Sequence, residues 1–176
     1  MASIKSWVPA TLNRQALVHS ARTAVAASVS LAVARLFKLP EAYWAAVTTL
    51  IVMQSTLGAA LEVSWRRFVG TALGALVGAL VTVYFPPSAL VFAGVVFGIG
   101  LLAAALHLDK TAYRFASITV AIIMLVARNK PAWIIATHRF VEVSVGIAVG
   151  LALTAVWPER SPAAVEAKAQ QSSSQG

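Results

Sequence analysis

The chain alternates long apolar runs with short polar joints, six times over. The runs are Leu17–Phe37, Tyr43–Leu61, Phe68–Phe85, Ala89–His107, Tyr113–Ala127 and Ile134–Trp157. A helix that crosses the hydrocarbon layer needs about 20 mostly apolar residues. These runs therefore predict an all-α, polytopic membrane protein with six transmembrane helices. Apolar residues make up 59% of the chain and charged residues 11%. Soluble domains average about 45–50% and about 25%. A globule of 176 residues could not hide that excess from water, whereas a bilayer solvates it.

The joints carry the polar residues and the helix breakers. They are Lys38 to Glu41, Glu62 to Arg67, Pro86 to Ser88, Leu108 to Thr111 and Arg128 to Pro131. Proline stops one helix and suits the first turn of the next. Joints this short make neighbouring helices antiparallel. Tyr43, Trp44, Trp65, Tyr84, Tyr113, Trp133 and Trp157 cluster at run ends, where amphipathic rings favour the interface. Met1 to Arg14 lacks the apolar run and cleavage site of a signal peptide, so the first span is expected to stay in the protein. The expected organisation is a cytoplasmic segment 1–15, a six-helix domain 16–158 and a polar, disordered cytoplasmic tail 159–176.

Net charge is +8, but the cations stand singly or in pairs between apolar blocks. That pattern fits anionic lipid headgroups and excludes nucleic acid as a partner. Lys5, Arg14, Arg66, Arg67, Lys110, Arg114, Arg160 and Lys168 fall on one side, against Arg35, Lys38, Arg128 and Lys130 on the other. The positive-inside rule then places both termini in the cytoplasm.

Arg67-Phe68-Val69 recurs as Arg139-Phe140-Val141, and the 72-residue offset gives eight identities across the twenty positions from Arg67 to Pro86. Helix three thus resembles helix six. Three helices per unit is odd, so the second unit would run upside down. The expectation is a 3+3 inverted repeat, a device of transporters with sites at the repeat interface. Two glycine-rich helices converging on similar packing is the plainer account. Gly70, Gly74 and Gly78, the Gly94/Gly98 pair and the Gly146/Gly150 pair have the four-residue spacing that lets helix backbones approach closely, within the chain or against a second protomer.

Charges inside spans are costly and usually face protein or water. Arg22 and Arg139 either do so or snorkel to the headgroups. Glu142, three residues after Arg139, is placed to neutralise it. Arg66 and Arg67 read as a positive-inside anchor or as an anion-attracting entrance. Thr48, Thr49 and Gln54 make the second span polar at mid-depth, as a solute path or as interhelical glue. There are no cysteines, no metal-ligand spacing and no nucleophile-base set. Neither an enzyme nor a metal or cofactor is expected.

Pro40-x-x-Tyr43-Trp44-Ala45-Ala46-x-Thr48-Thr49, then Gln54, then Arg66-Arg67-Phe68-x-Gly70-Thr71-x-x-Gly74-x-x-x-Gly78 resembles the fusaric acid resistance (FUSC), or aromatic acid exporter, family. Ala116-x-x-Thr119-Val120 and Arg139-Phe140-x-Glu142-x-x-x-Gly146-x-x-x-Gly150, ending Trp157-Pro158, fit the same pattern. The likeness covers residues 16–158. It implies a bacterial inner-membrane transporter of small organic anions such as aromatic carboxylates, with a membrane part similar to aluminium-activated malate channels. By that likeness Arg67 and Arg139 line an anion path, with Tyr43 and Trp44 near the ring of the solute. Larger family members carry a second six-helix unit and cytoplasmic domains. Lacking them, the chain is expected to act as a homodimer or larger homo-oligomer. The rival expectation is a non-transporting scaffold or accessory subunit of a larger exporter.

Overall fold

The computed structural model describes residues 14–54, 56–126 and 130–157, and among these every regular element is helical. The helices are α1 (Arg14–Leu36), α2 (Tyr43–Val52), α3 (Leu57–Tyr84), α4 (Ala89–Ala105), α5 (Lys110–Leu125) and α6 (Ala132–Val156). Leu17–Leu36, α3 and α6 are long and apolar enough to cross a membrane, and α2 and α4 are shorter apolar helices. The segments expected at 1–15 and 159–176 lie almost wholly outside the described residues, as does Pro158.

One joint moves. The run Tyr43–Leu61 breaks early, because Met53 turns extended and Thr56 caps a new helix by accepting from the Ala59 N–H. Glu62 to Arg67 is therefore not a joint but part of α3, where Glu62 and Arg66 pair one turn apart. As a result α2 has 10 residues and α3 has 28.

The turns after α1 and α4 are built alike. Lys38 and His107 take the left-handed conformation, with φ of 54° and 52°. The next N–H in each case reaches back to close the helix end, Leu39 to the Ala34 carbonyl and Leu108 to that of Ala103. This is the Schellman closure, made here without glycine.

Long α3 and α6 form the spine. They run antiparallel and cross where the Phe68 and Phe140 rings meet, 5.0 Å between centroids. Further along, Ala75 packs with Ile135 and Ala136. α2 lies parallel to α6, with Gly146 against Ala45 and Thr48 and Gly150 against Thr49 and Val52. α5 lies parallel to α3, with Gly74 against Ala116 and Thr119 and Gly78 against Ile123. α1 covers α2 and α6, and α4 covers α5. A side chain at Gly74 or Gly146 would collide with a backbone carbonyl of the neighbouring helix, Ala116 or Ala45. Those two contacts require glycine.

Candidate functional site at the helix crossing

The α3–α6 crossing gathers three of the four buried charged residues among those described. Arg67 is 3% exposed, Arg139 1% and Glu142 0%. Arg67 stands one residue before Phe68 and Arg139 one before Phe140, so the crossing places the two guanidinium groups within electrostatic reach of each other. Each lies over an aromatic ring on the helix its own helix packs against. Arg139 is 3.8 Å from the centroid of Trp44, and Arg67 is 4.5 Å from that of Phe115. A desolvated cation gains from the negative face of a ring.

The charges are not balanced alike. Glu142 Oε2 lies 3.6 Å from Arg139 Nη1, the pair expected from the sequence. Its Oε1 accepts the Glu41 N–H at 3.0 Å, and Glu41 Oε2 accepts the Trp44 indole N–H at 3.0 Å. Arg139 is thus held by α2 and the α1–α2 turn together. Among the described residues no carboxylate lies within ion-pair distance of Arg67, and its Nε has no hydrogen-bond partner. Thr71 and Ser64, on the same buried face of α3, also carry hydroxyls without partners.

A cavity of about 280 Å³ opens beside this cluster, between the α1–α2 turn and the first turns of α6. Pro40, Glu41, Lys130, His138, Arg139 and Glu142 line it.

The other residues singled out by sequence are dispersed. Arg66 sits apart from Arg67, paired with Glu62 and 2.6 Å from Asp109 of the α4–α5 turn. Arg22 is fully buried at the far end of α6, donating to the Trp157 carbonyl at 2.8 Å and to the Gln54 carbonyl. Gln54 lies just past α2, its amide donating to the Ile51 carbonyl. Thr49 bonds the Ala45 and Gly146 carbonyls, both at 3.0 Å, and so ties α2 to α6. The Thr48 hydroxyl is buried without a partner. Tyr43 is largely exposed beside Trp44. Gly70 packs on Ala112 and Phe115, while Gly94 and Gly98 face open space. Phe115, Glu41, His138 and Lys130 were not anticipated. Phe115 had a signal: Trp44-Ala45-x-x-Thr48 and Phe115-Ala116-x-x-Thr119 share one pattern.

The family model for fusaric acid resistance protein-like sequences matches residues 27–153, which include the whole crossing. The chain belongs to this family. Among its relatives is the inner membrane protein YeeA of Escherichia coli K12, 28% identical over 151 residues, which are 82% of this chain and 42% of that protein. The uncharacterized transporter YdhK of the same strain is 31% identical over 166 residues, 89% of this chain and 24% of that protein. The chain thus spans less than half the length of these relatives. No solved structure matches it. Family match and apolar helices together make this a membrane protein. Among the described residues no group of His, Asp and Glu is placed to hold a metal ion.

Proposed function

We propose that the chain is a transport module that passes small organic anions, with aromatic carboxylates as the first class to test, across the bacterial inner membrane. One observation carries the reading. Arg67 is a buried cation with no acidic partner among the described residues, beside a second buried arginine. An uncompensated buried charge is costly, and a visiting anion is the simplest group to offset it. The Trp44 and Phe115 rings add apolar faces that a benzoate-like ring can meet.

The same reading holds that residues 16–158 are a 3+3 inverted repeat with both termini cytoplasmic, working as a homo-oligomer. Support for the repeat is the matched set of contacts. Trp44–Arg139 and Phe115–Arg67, Ala45–Gly146 and Ala116–Gly74, and the twin Schellman turns answer one another across the crossing. Support for the orientation is the sequence division of Lys and Arg, six against four once Arg66 and Arg67 are counted within α3.

The test is uptake of labelled benzoate by proteoliposomes. Flux above empty vesicles is expected, reduced at least tenfold by Arg67→Gln. Flux equal to empty vesicles, with folded protein, overturns the reading.

A further inference from the structure

Both helical hairpins stop half-way along the spine. The α1–α2 turn meets α6 at Glu142, whose carboxylate accepts the Glu41 N–H. Ten residues of α6, from Ala132 to Val141, continue beyond that point, about 15 Å at the α-helical rise. The α4–α5 turn meets α3 at Arg66, whose guanidinium contacts Asp109. Nine residues of α3, from Leu57 to Trp65, continue beyond that point, about 14 Å. Because α3 and α6 are antiparallel, the two overhangs point to opposite ends of the molecule.

Each turn is irregular backbone carrying charge: Lys38 and Glu41 on one, Asp109 and Lys110 on the other. Lys38, Asp109 and Lys110 are exposed. Irregular, charged backbone at membrane depth is tolerated only against protein or in a water-filled cavity. A cavity lies over the first turn. It extends along the α6 overhang from Lys130 through His138 to Arg139 and Glu142. Over the second turn, Glu62 and Asp109 are well exposed around Arg66.

We infer that the two overhangs wall a pair of water-filled vestibules that enter from opposite faces of the membrane and end on the Arg67–Arg139 layer. One vestibule has the Glu41–Glu142 contact as its floor, the other the Arg66–Asp109 pair. Phe68, Phe140 and the two arginines stand within three residues of these floors along the spine. The inference deepens the transport reading and rests on its membrane setting, but it does not require flux.

The chain has no cysteine, so single cysteines report accessibility without background. His138→Cys and Glu62→Cys would be labelled in oriented membrane vesicles with a membrane-impermeant methanethiosulfonate. Leu80→Cys and Val25→Cys, exposed apolar positions on α3 and α1, serve as lipid-facing controls. The expected result is rapid labelling at 138 from one face only and at 62 from the opposite face only, each at least tenfold faster than the controls. Protection of either site, or labelling of both from the same face, overturns the inference. Where a variant does not fold, Lys130→Cys replaces the first and Lys110→Cys the second. Vesicles that accumulate no benzoate yet show opposite-sided labelling would sink the anion reading and leave the vestibules standing.

Discussion

The Arg139 guanidinium sits over the Trp44 ring at 3.8 Å, while the Trp44 indole N–H is held by Glu41. The ring is therefore fixed on both sides, and it positions the cation it covers. A desolvated cation–π contact is worth about 2 kcal/mol. Trp44→Leu is expected to lower stability by about that amount. Trp44→Phe keeps the face and loses only the indole bond, for about 1 kcal/mol. Thermal unfolding in detergent should rank the native chain above Trp44→Phe and Trp44→Phe above Trp44→Leu. Equal midpoints for Phe and Leu would show that the ring face contributes nothing.

Glycines that look alike in sequence should respond in opposite ways. A Cβ at Gly146 meets the Ala45 carbonyl and Thr48, so Gly146→Ala must push α2 off α6. Such overpacking costs about 1–3 kcal/mol. At Gly94 a Cβ meets nothing, so Gly94→Ala should be neutral or gain up to about 1 kcal/mol of helix propensity. Comparing the two midpoints decides it. A loss at position 94 as large as at 146 would reveal a contact outside the single chain.

The six helices were legible because proline and charge mark most of the joints: Pro40, Pro86 and Pro131 each stand at one. The α2–α3 break was not. Met53 to Thr56 holds neither glycine nor proline, and its only local sign is a threonine that can cap. Glu62 to Arg67 imitated a joint, since an i,i+4 ion pair inside a long helix has the same composition as a polar turn. At the site, the Arg139–Glu142 pair was legible as a local spacing. The rings over the arginines were not, because they depend on α2 lying parallel to α6 and α5 parallel to α3. Sequence neighbours in a bundle are antiparallel, and parallel partners come from elements distant in the chain.

Arg22 ties two helix ends together. It donates to the carbonyls of Trp157 and Gln54, which close α6 and follow α2. Hydrogen bonds from a charged donor are worth about 1.5–3 kcal/mol each. Arg22→Met should therefore cost about 3 kcal/mol or more and leave both carbonyls unmet. Arg22→Gln, with a shorter reach, should recover only part. Limited proteolysis at the α2–α3 link, compared between variants, reads the loss directly. Unchanged cleavage in Arg22→Met would mean that the two helix ends are held by packing alone.

Arg139 and Glu142 are a buried pair, and such pairs are lopsided in energy. Removing one partner deprives the other buried charge of its ion pair, and breaking such a pair costs about 3–5 kcal/mol. Removing both avoids that penalty, and the remaining cost is that of cavities and lost hydrogen bonds. Glu142→Gln alone removes the carboxylate paired with Arg139 while both buried arginines keep their charge. It is expected to be worse than Arg139→Gln alone, which leaves one carboxylate still bonded to the Glu41 N–H. The double variant Arg139→Gln/Glu142→Gln should lie well above the sum of the two losses, with a coupling of about 2 kcal/mol or more. A thermal double-mutant cycle measures this. Strict additivity would mean that the two groups are neutralised by other partners, and would remove Glu142 from the account of how Arg139 is held.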